Sequence, residues 1–296
     1  MLLSSLSFAL ANICVKILTD NPPIFPEIQD YPVHELVLFR SVVSLSICVA
    51  IIKAKKLPFF GNNKKWLLTR GIAGVTSLTL FFFTLQNLPM AIATIVQYLS
   101  PIFTILFAMY LINEKVRPVQ WLFFLISFVG IIVMGIGSNN SGGGIEMIWL
   151  LTGIGSAIVS GIAYNAIMKC SNTDEPITVV MYFPLVATPL MIVACFVWGF
   201  IMPQGIEWLI LILIGILTQI AQISMTKAFN SAPASRITPI KYVGAIYAVA
   251  IGFFVFDETL GLYSSLGVIL ILIGVLLNTF IKQVRTSPKG LDGSNA

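Results

Sequence analysis

The sequence predicts an all-α membrane protein: ten transmembrane helices in two inverted five-helix repeats, with both termini cytoplasmic. Three observations predict it. Only 10% of the 296 residues are charged, against 57% hydrophobic, whereas soluble domains carry about 25% charged residues. The apolar residues gather into runs of roughly 20, the length that crosses a bilayer as a helix. The second half of the chain also repeats the first.

The runs are 2–19, 33–52, 66–86, 89–111, 118–137, 147–169, 177–201, 207–228, 234–256 and 260–281. They are too long for membrane β-strands and do not alternate with period two, so helices are expected. The first run opens at Met1 without a basic flank and reads as a span, not as a removed signal peptide. Short connections make consecutive helices antiparallel neighbours.

Charge orients the spans. The loops 20–32, 87–88, 138–146, 202–206 and 257–259 contain no Lys or Arg. The alternate connections carry Lys53, Lys55, Lys56, Lys64 and Lys65, then Lys115 and Arg117, with Lys169 and Lys227 at helix ends. Cytoplasmic loops hold the positive charge, which puts both termini in the cytoplasm. The lysine cluster at 53–65 sets topology and meets anionic lipid of the bilayer; it does not read as a nucleic-acid site.

An offset of 144 aligns Gly71 with Gly215, Pro89 with Pro233, Thr94 with Thr238, Tyr98 with Tyr242, Glu114 with Glu258 and Gly130 with Gly274. The first helix matches at a slightly different offset, Asn12 and Lys16 against Asn165 and Lys169. Residues 1–140 form one five-helix unit, 141–282 a second, and 283–296 a cytoplasmic tail. Five is odd, so the second unit enters the membrane from the opposite side. That inverted repeat is an architecture of secondary transporters, with the substrate site between the halves near the midplane.

The run LPMAIATIVQYLSPIFTILFAMYLINEKV and the helix ending FVGIIVMG have second-half counterparts. These are SAPASRITPIKYVGAIYAVAIGFFVFDETL and a helix containing LIGVLL. Together with HELVLFRS they resemble the drug/metabolite transporter superfamily, in its ten-helix form with two EamA-type repeats. The resemblance covers nearly the whole chain and implies a transporter. Such proteins carry amino acids, other metabolites, nucleotide sugars or phosphorylated sugars, so the resemblance does not choose a cargo.

Charges inside the spans point toward one. Lys16 lies about a turn from the outer end of the first span. Arg40 lies about two turns into the second, and Lys241 about two turns into the ninth. Ionisable residues at such depths are costly and mark pathways. Asn12, Gln97, Tyr98, Tyr164, Asn165, Gln219, Gln222 and Tyr242 surround them as candidate substrate-binding residues. No Asp or Glu falls mid-span, so an anionic or zwitterionic small-molecule metabolite would supply the missing counter-charge. Each cation also has a simpler use. Lys16 can snorkel to the headgroups, Arg40 can pair with Glu35, and the asparagines can tie helices together. Pro101, Pro184, Pro189 and Pro239 each remove a backbone hydrogen bond and can kink their helices.

No phosphate-binding glycine motif appears, and no nucleophile, paired-acid or metal-ligating constellation. Cys14, Cys48, Cys170 and Cys195 read as packing residues. An enzyme and a resident cofactor are therefore not expected. The expected function is a carrier of anionic or zwitterionic metabolites working by alternating access in a bacterial cytoplasmic membrane. An exporter of neutral or cationic aromatic compounds and a channel are the alternatives.

Overall fold

In the computed structural model the described residues are 1–20, 28–111, 118–140, 147–171, 173–231, 243–256 and 261–280. They form helices and contain no strand. The elements are α1 (Leu2–Asp20), α2 (Val33–Lys55), α3 (Lys64–Asn87), α4 (Met90–Gln97), α5 (Ser100–Leu111) and α6 (Pro118–Asn140). The second half supplies α7 (Met147–Cys170), α8 (Pro176–Trp198), α9 (Glu207–Ser231), α10 (Val243–Phe256) and α11 (Leu262–Phe280).

Seven helical stretches among the described residues are long and apolar enough to cross a membrane: Leu2–Thr19, Val33–Lys55, Lys64–Asn87, Met90–Leu111, Met147–Cys170, Pro176–Trp198 and Glu207–Ala228. Trp121–Val133, Tyr247–Phe256 and Leu262–Gly274 are shorter apolar helices. Large apolar side chains such as Leu125, Phe196 and Phe254 are exposed on the outside of the bundle. That surface suits hydrocarbon and not water.

Local chemistry sets several ends. Lys56 closes α2 in the left-handed conformation (φ 53°, ψ 38°), its N–H donating to the carbonyls of Ile52 and Lys53. Pro176 opens α8, where a missing N–H costs nothing. Pro101 cannot donate to the Gln97 carbonyl and its ring crowds that turn. The span Met90–Leu111 accordingly breaks at Tyr98 and Leu99 into α4 and α5.

The packing exchanges under a swap of halves. α1 packs on α9 as α7 packs on α3, while α2 meets α8 and α6 meets α11. The α6–α11 seam shows this at atomic scale. A Cβ on Gly130 would sit 2.7 Å from the Gly267 carbonyl oxygen and 2.8 Å from the Ile271 side chain. A Cβ on Gly274 would meet Ser127 and lie 2.6 Å from the Phe123 carbonyl oxygen. Every one of these partners is shifted by the 144 residues that align the halves, so both glycines are bare for one reason: backbones approach closely there.

Candidate functional site

A cavity opens inside the bundle, walled by α1, α2, α3 and α4 from the first half and α7, α8, α9 and α10 from the second. About 140 Å³ of it admits the centre of a water-sized sphere. Phe8, Phe81, Phe82, Phe183, Tyr98 and Tyr164 give it aromatic walls. Its polar groups include Arg40, Arg70, Asn12, Thr94, Gln97 and Gln222. No carboxylate is among its described lining residues.

Arg40 is 3% exposed. Its guanidinium lies 5.1 Å from the Phe183 ring centroid and 5.9 Å from that of Phe82. Among the described residues it makes no hydrogen bond or ion pair. The possible tie to Glu35 is not made; the Glu35 Oε1 accepts from the Ile201 N–H at 2.8 Å. The second cation is one the sequence reading passed over. Arg70 is 4% exposed and lies 5.8 Å from the same Phe183 ring. Its Nη2 donates to the Gln222 side-chain oxygen at 3.0 Å, while its Nε has no partner among the described residues. Gly74, one turn further along α3, makes room for this. A Cβ there would collide with Arg70 Nη1.

The amide of Gln97 is held on both sides. Its Nε2 donates to Ser160 Oγ at 2.8 Å and its Oε1 accepts from Ser156 Oγ at 2.8 Å. Ser77 of α3 closes the network onto both serines. Thr94 Oγ1 is buried and has no partner among the described residues. The Tyr98 hydroxyl lies against Gly244, where a Cβ would strike it.

Asn12, Arg40, Gln97, Tyr98, Tyr164 and Gln222 therefore meet around one space. Three other expected residues point elsewhere. Lys16 is 5% exposed and donates to the carbonyls of Leu85 and Leu88, each at 3.3 Å. It meets the carbonyl-rich end of α3 and does not snorkel outward. Asn165 is buried against the carbonyls of Thr104 and Gly161, at 2.9 Å each. Gln219 accepts from Ser44 Oγ and donates to Cys48 Sγ at 2.9 Å. Lys241, Tyr242, Pro239, Glu114 and Glu258 lie outside the described residues.

A clasp ties two loop segments together at one end of the bundle. The Glu207 carboxylate accepts from Gln29 N–H at 2.8 Å, Tyr31 O–H at 2.6 Å and Gln204 N–H at 2.7 Å. Tyr31 also donates its N–H to the Leu18 carbonyl at 2.9 Å, which puts the clasp at the C-terminal end of α1. Met1, Ser4 and Phe8 line the cavity at the other end of that helix.

Comparison with known proteins decides the class of molecule in which this cavity sits. The sequence profile of the EamA-like transporter family matches residues 1–136 and again 147–280. The chain belongs to the EamA-like transporter family. Within this family's wider kin, the pseudopaline exporter CntI of Pseudomonas aeruginosa (strain UCBPP-PA14) is 26% identical over 83% of this chain and 85% of its own length. The S-adenosylmethionine uptake transporter of Rickettsia prowazekii (strain Madrid E) is 21% identical, covering 74% of this chain and 73% of its own. A solved crystal structure shares the fold with a TM-score of 0.62 at 18% identity, across 92% of this chain and 94% of that one. This EamA-type chain is thus a multi-pass membrane transporter, not an enzyme.

Proposed function

We propose that the protein is a secondary carrier for a small anionic or zwitterionic metabolite, with the acidic group of the cargo held between Arg40 and Arg70. One observation carries this reading. Arg40 is a buried cation on the cavity wall with no anionic partner among the described residues. A buried charge left without a partner is costly, and a bound carboxylate or phosphate relieves it with charge-assisted hydrogen bonds. Arginine presents a planar fork of donors that suits either group.

The exchange-symmetric packing of the two halves supports an inverted repeat that works by alternating access across a bacterial cytoplasmic membrane. In this reading the repeats are 1–140 and 141–282, and both termini are cytoplasmic. Lys241 and Tyr242 belong to the same site through their repeat mates Gln97 and Tyr98.

The test is counterflow in proteoliposomes loaded with candidate amino acids, carboxylates and phosphorylated metabolites. Saturable uptake of label, stimulated by the same solute inside and lost in Arg40→Ala, is the expected result. Uptake that rises linearly with concentration, without stimulation, would indicate a channel. The aromatic walls favour a second reading, export of neutral or cationic aromatic compounds. Uptake of those compounds that persists in Arg40→Ala would select it.

A further inference from the structure

Resting on the anionic reading above, we infer that the cargo presents at least two negative charges to the described part of this cavity, as a dicarboxylate or as a phosphate monoester. Two guanidinium groups line one space. They lie within about 11 Å of each other, the most that contacts of 5.1 and 5.8 Å to one ring centroid allow. Both are more than nine-tenths buried. The only hydrogen bond either makes among the described residues is from Arg70 to the neutral Gln222 side chain. No described lining residue is an acid. A monoanion would neutralise one guanidinium and leave the other uncompensated against phenylalanine. A dianion neutralises both, and repulsion between the two cations becomes attraction to a shared partner.

The remaining polar groups fit such a cargo. Among the described residues, buried Arg70 Nε and Thr94 Oγ1 have no partner, so one guanidinium N–H and one hydroxyl remain unspent beside the cavity. Phe183 is shared by both cations and Phe82 backs Arg40. Both guanidinium groups stand within cation–π range of these rings. A zwitterion is disfavoured on the same count, because no described carboxylate waits for its ammonium.

The experiment is ligand-dependent thermal stabilisation of the purified full chain with probes matched in shape and graded in charge. Succinate is compared with succinamate and succinamide, and phenyl phosphate with its monomethyl ester. Malonate to adipate vary the spacing, and sodium chloride matches the ionic strength. The expected result is that at least one dianion binds about tenfold or more tighter than its matched monoanion. That ratio should fall toward one in Arg40→Gln and in Arg70→Gln. If every dianion and its monoanion bind equally in the wild type, the two-charge inference is overturned while the anionic reading stands. If no anion stabilises the protein beyond the salt control, both fail together. The wild-type ratios decide the matter even where a variant does not fold.

Discussion

Arg70 owes its position to a residue with no side chain. Its guanidinium crosses the turn of α3 that Gly74 leaves bare. In Gly74→Ala the added methyl must displace Nη1, and Phe183, 3.0 Å from the built Cβ, bars one way out. We expect anion affinity to drop by about tenfold with a smaller change in the stability of the unliganded protein, since alanine favours the helix. Equal anion titrations of Gly74→Ala and wild type would show that Arg70 needs no such placement. Lys16 makes the opposite case. Its ammonium meets the Leu85 and Leu88 carbonyls at the end of α3, where a cation also suits the helix dipole. Lys16→Met should lower stability by about 1–2 kcal/mol and leave the response to anions intact. A lost anion response at unchanged stability would instead make Lys16 part of the site. Arg40 was legible in the sequence because it stands deep in an apolar run. Arg70 was not, because it follows Lys64 and Lys65 by a turn or two and reads as part of the basic rim. Long side chains near a span end look the same whether they run outward or inward, and only neighbouring helices decide.

At the scale of elements, the clasp between the segment before α2 and the segment before α9 is held by one carboxylate accepting three donors. An amide offers one acceptor oxygen in its place and turns an N–H toward a donor. Glu207→Gln should therefore loosen this end by about 1–3 kcal/mol. Hydrogen–deuterium exchange should report faster uptake in 28–35 and 199–207, and unchanged exchange there would remove the clasp from the account. Burial, and then Glu207, raise the Tyr31 hydroxyl above the ordinary tyrosine value. Its contribution is thus fully present below about pH 10 and is lost as pH rises beyond that. The alkaline fall in thermal midpoint should flatten in Tyr31→Phe. None of this was readable in advance: Glu35 and Glu207 announce only helix starts, while Ile201 N–H, Gln29 N–H and Tyr31 O–H reach them from segments far away in sequence. The lost hydrogen bond at Pro101 was readable but its outcome was not: the span breaks there into α4 and α5, whereas α8 runs unbroken through Pro184 and Pro189.

For the whole molecule, the two halves share packing but not charge. The 144-residue offset that relates Gly130 to Gly274 carries Arg70 onto Ile214, so the repeat builds a symmetric frame around an asymmetric cavity. The frame was legible because glycine, proline and tyrosine recur at one spacing. The cation pair was half legible, since its two members come from different depths of α2 and α3 and meet only through Phe183 of α8. The central claim is that this pair holds the acidic part of a transported metabolite. The measurement that tests it most directly is the thermal midpoint of wild type and Arg40→Ala against carboxylates, phosphates and their neutral isosteres. The account predicts that acids stabilise the wild type, by about 2.7 kcal/mol at a hundredfold excess over Kd, that the effect disappears in Arg40→Ala, and that the isosteres do nothing in either. Equal stabilisation of both proteins by acids, or stabilisation by neutral aromatic compounds alone, would contradict it.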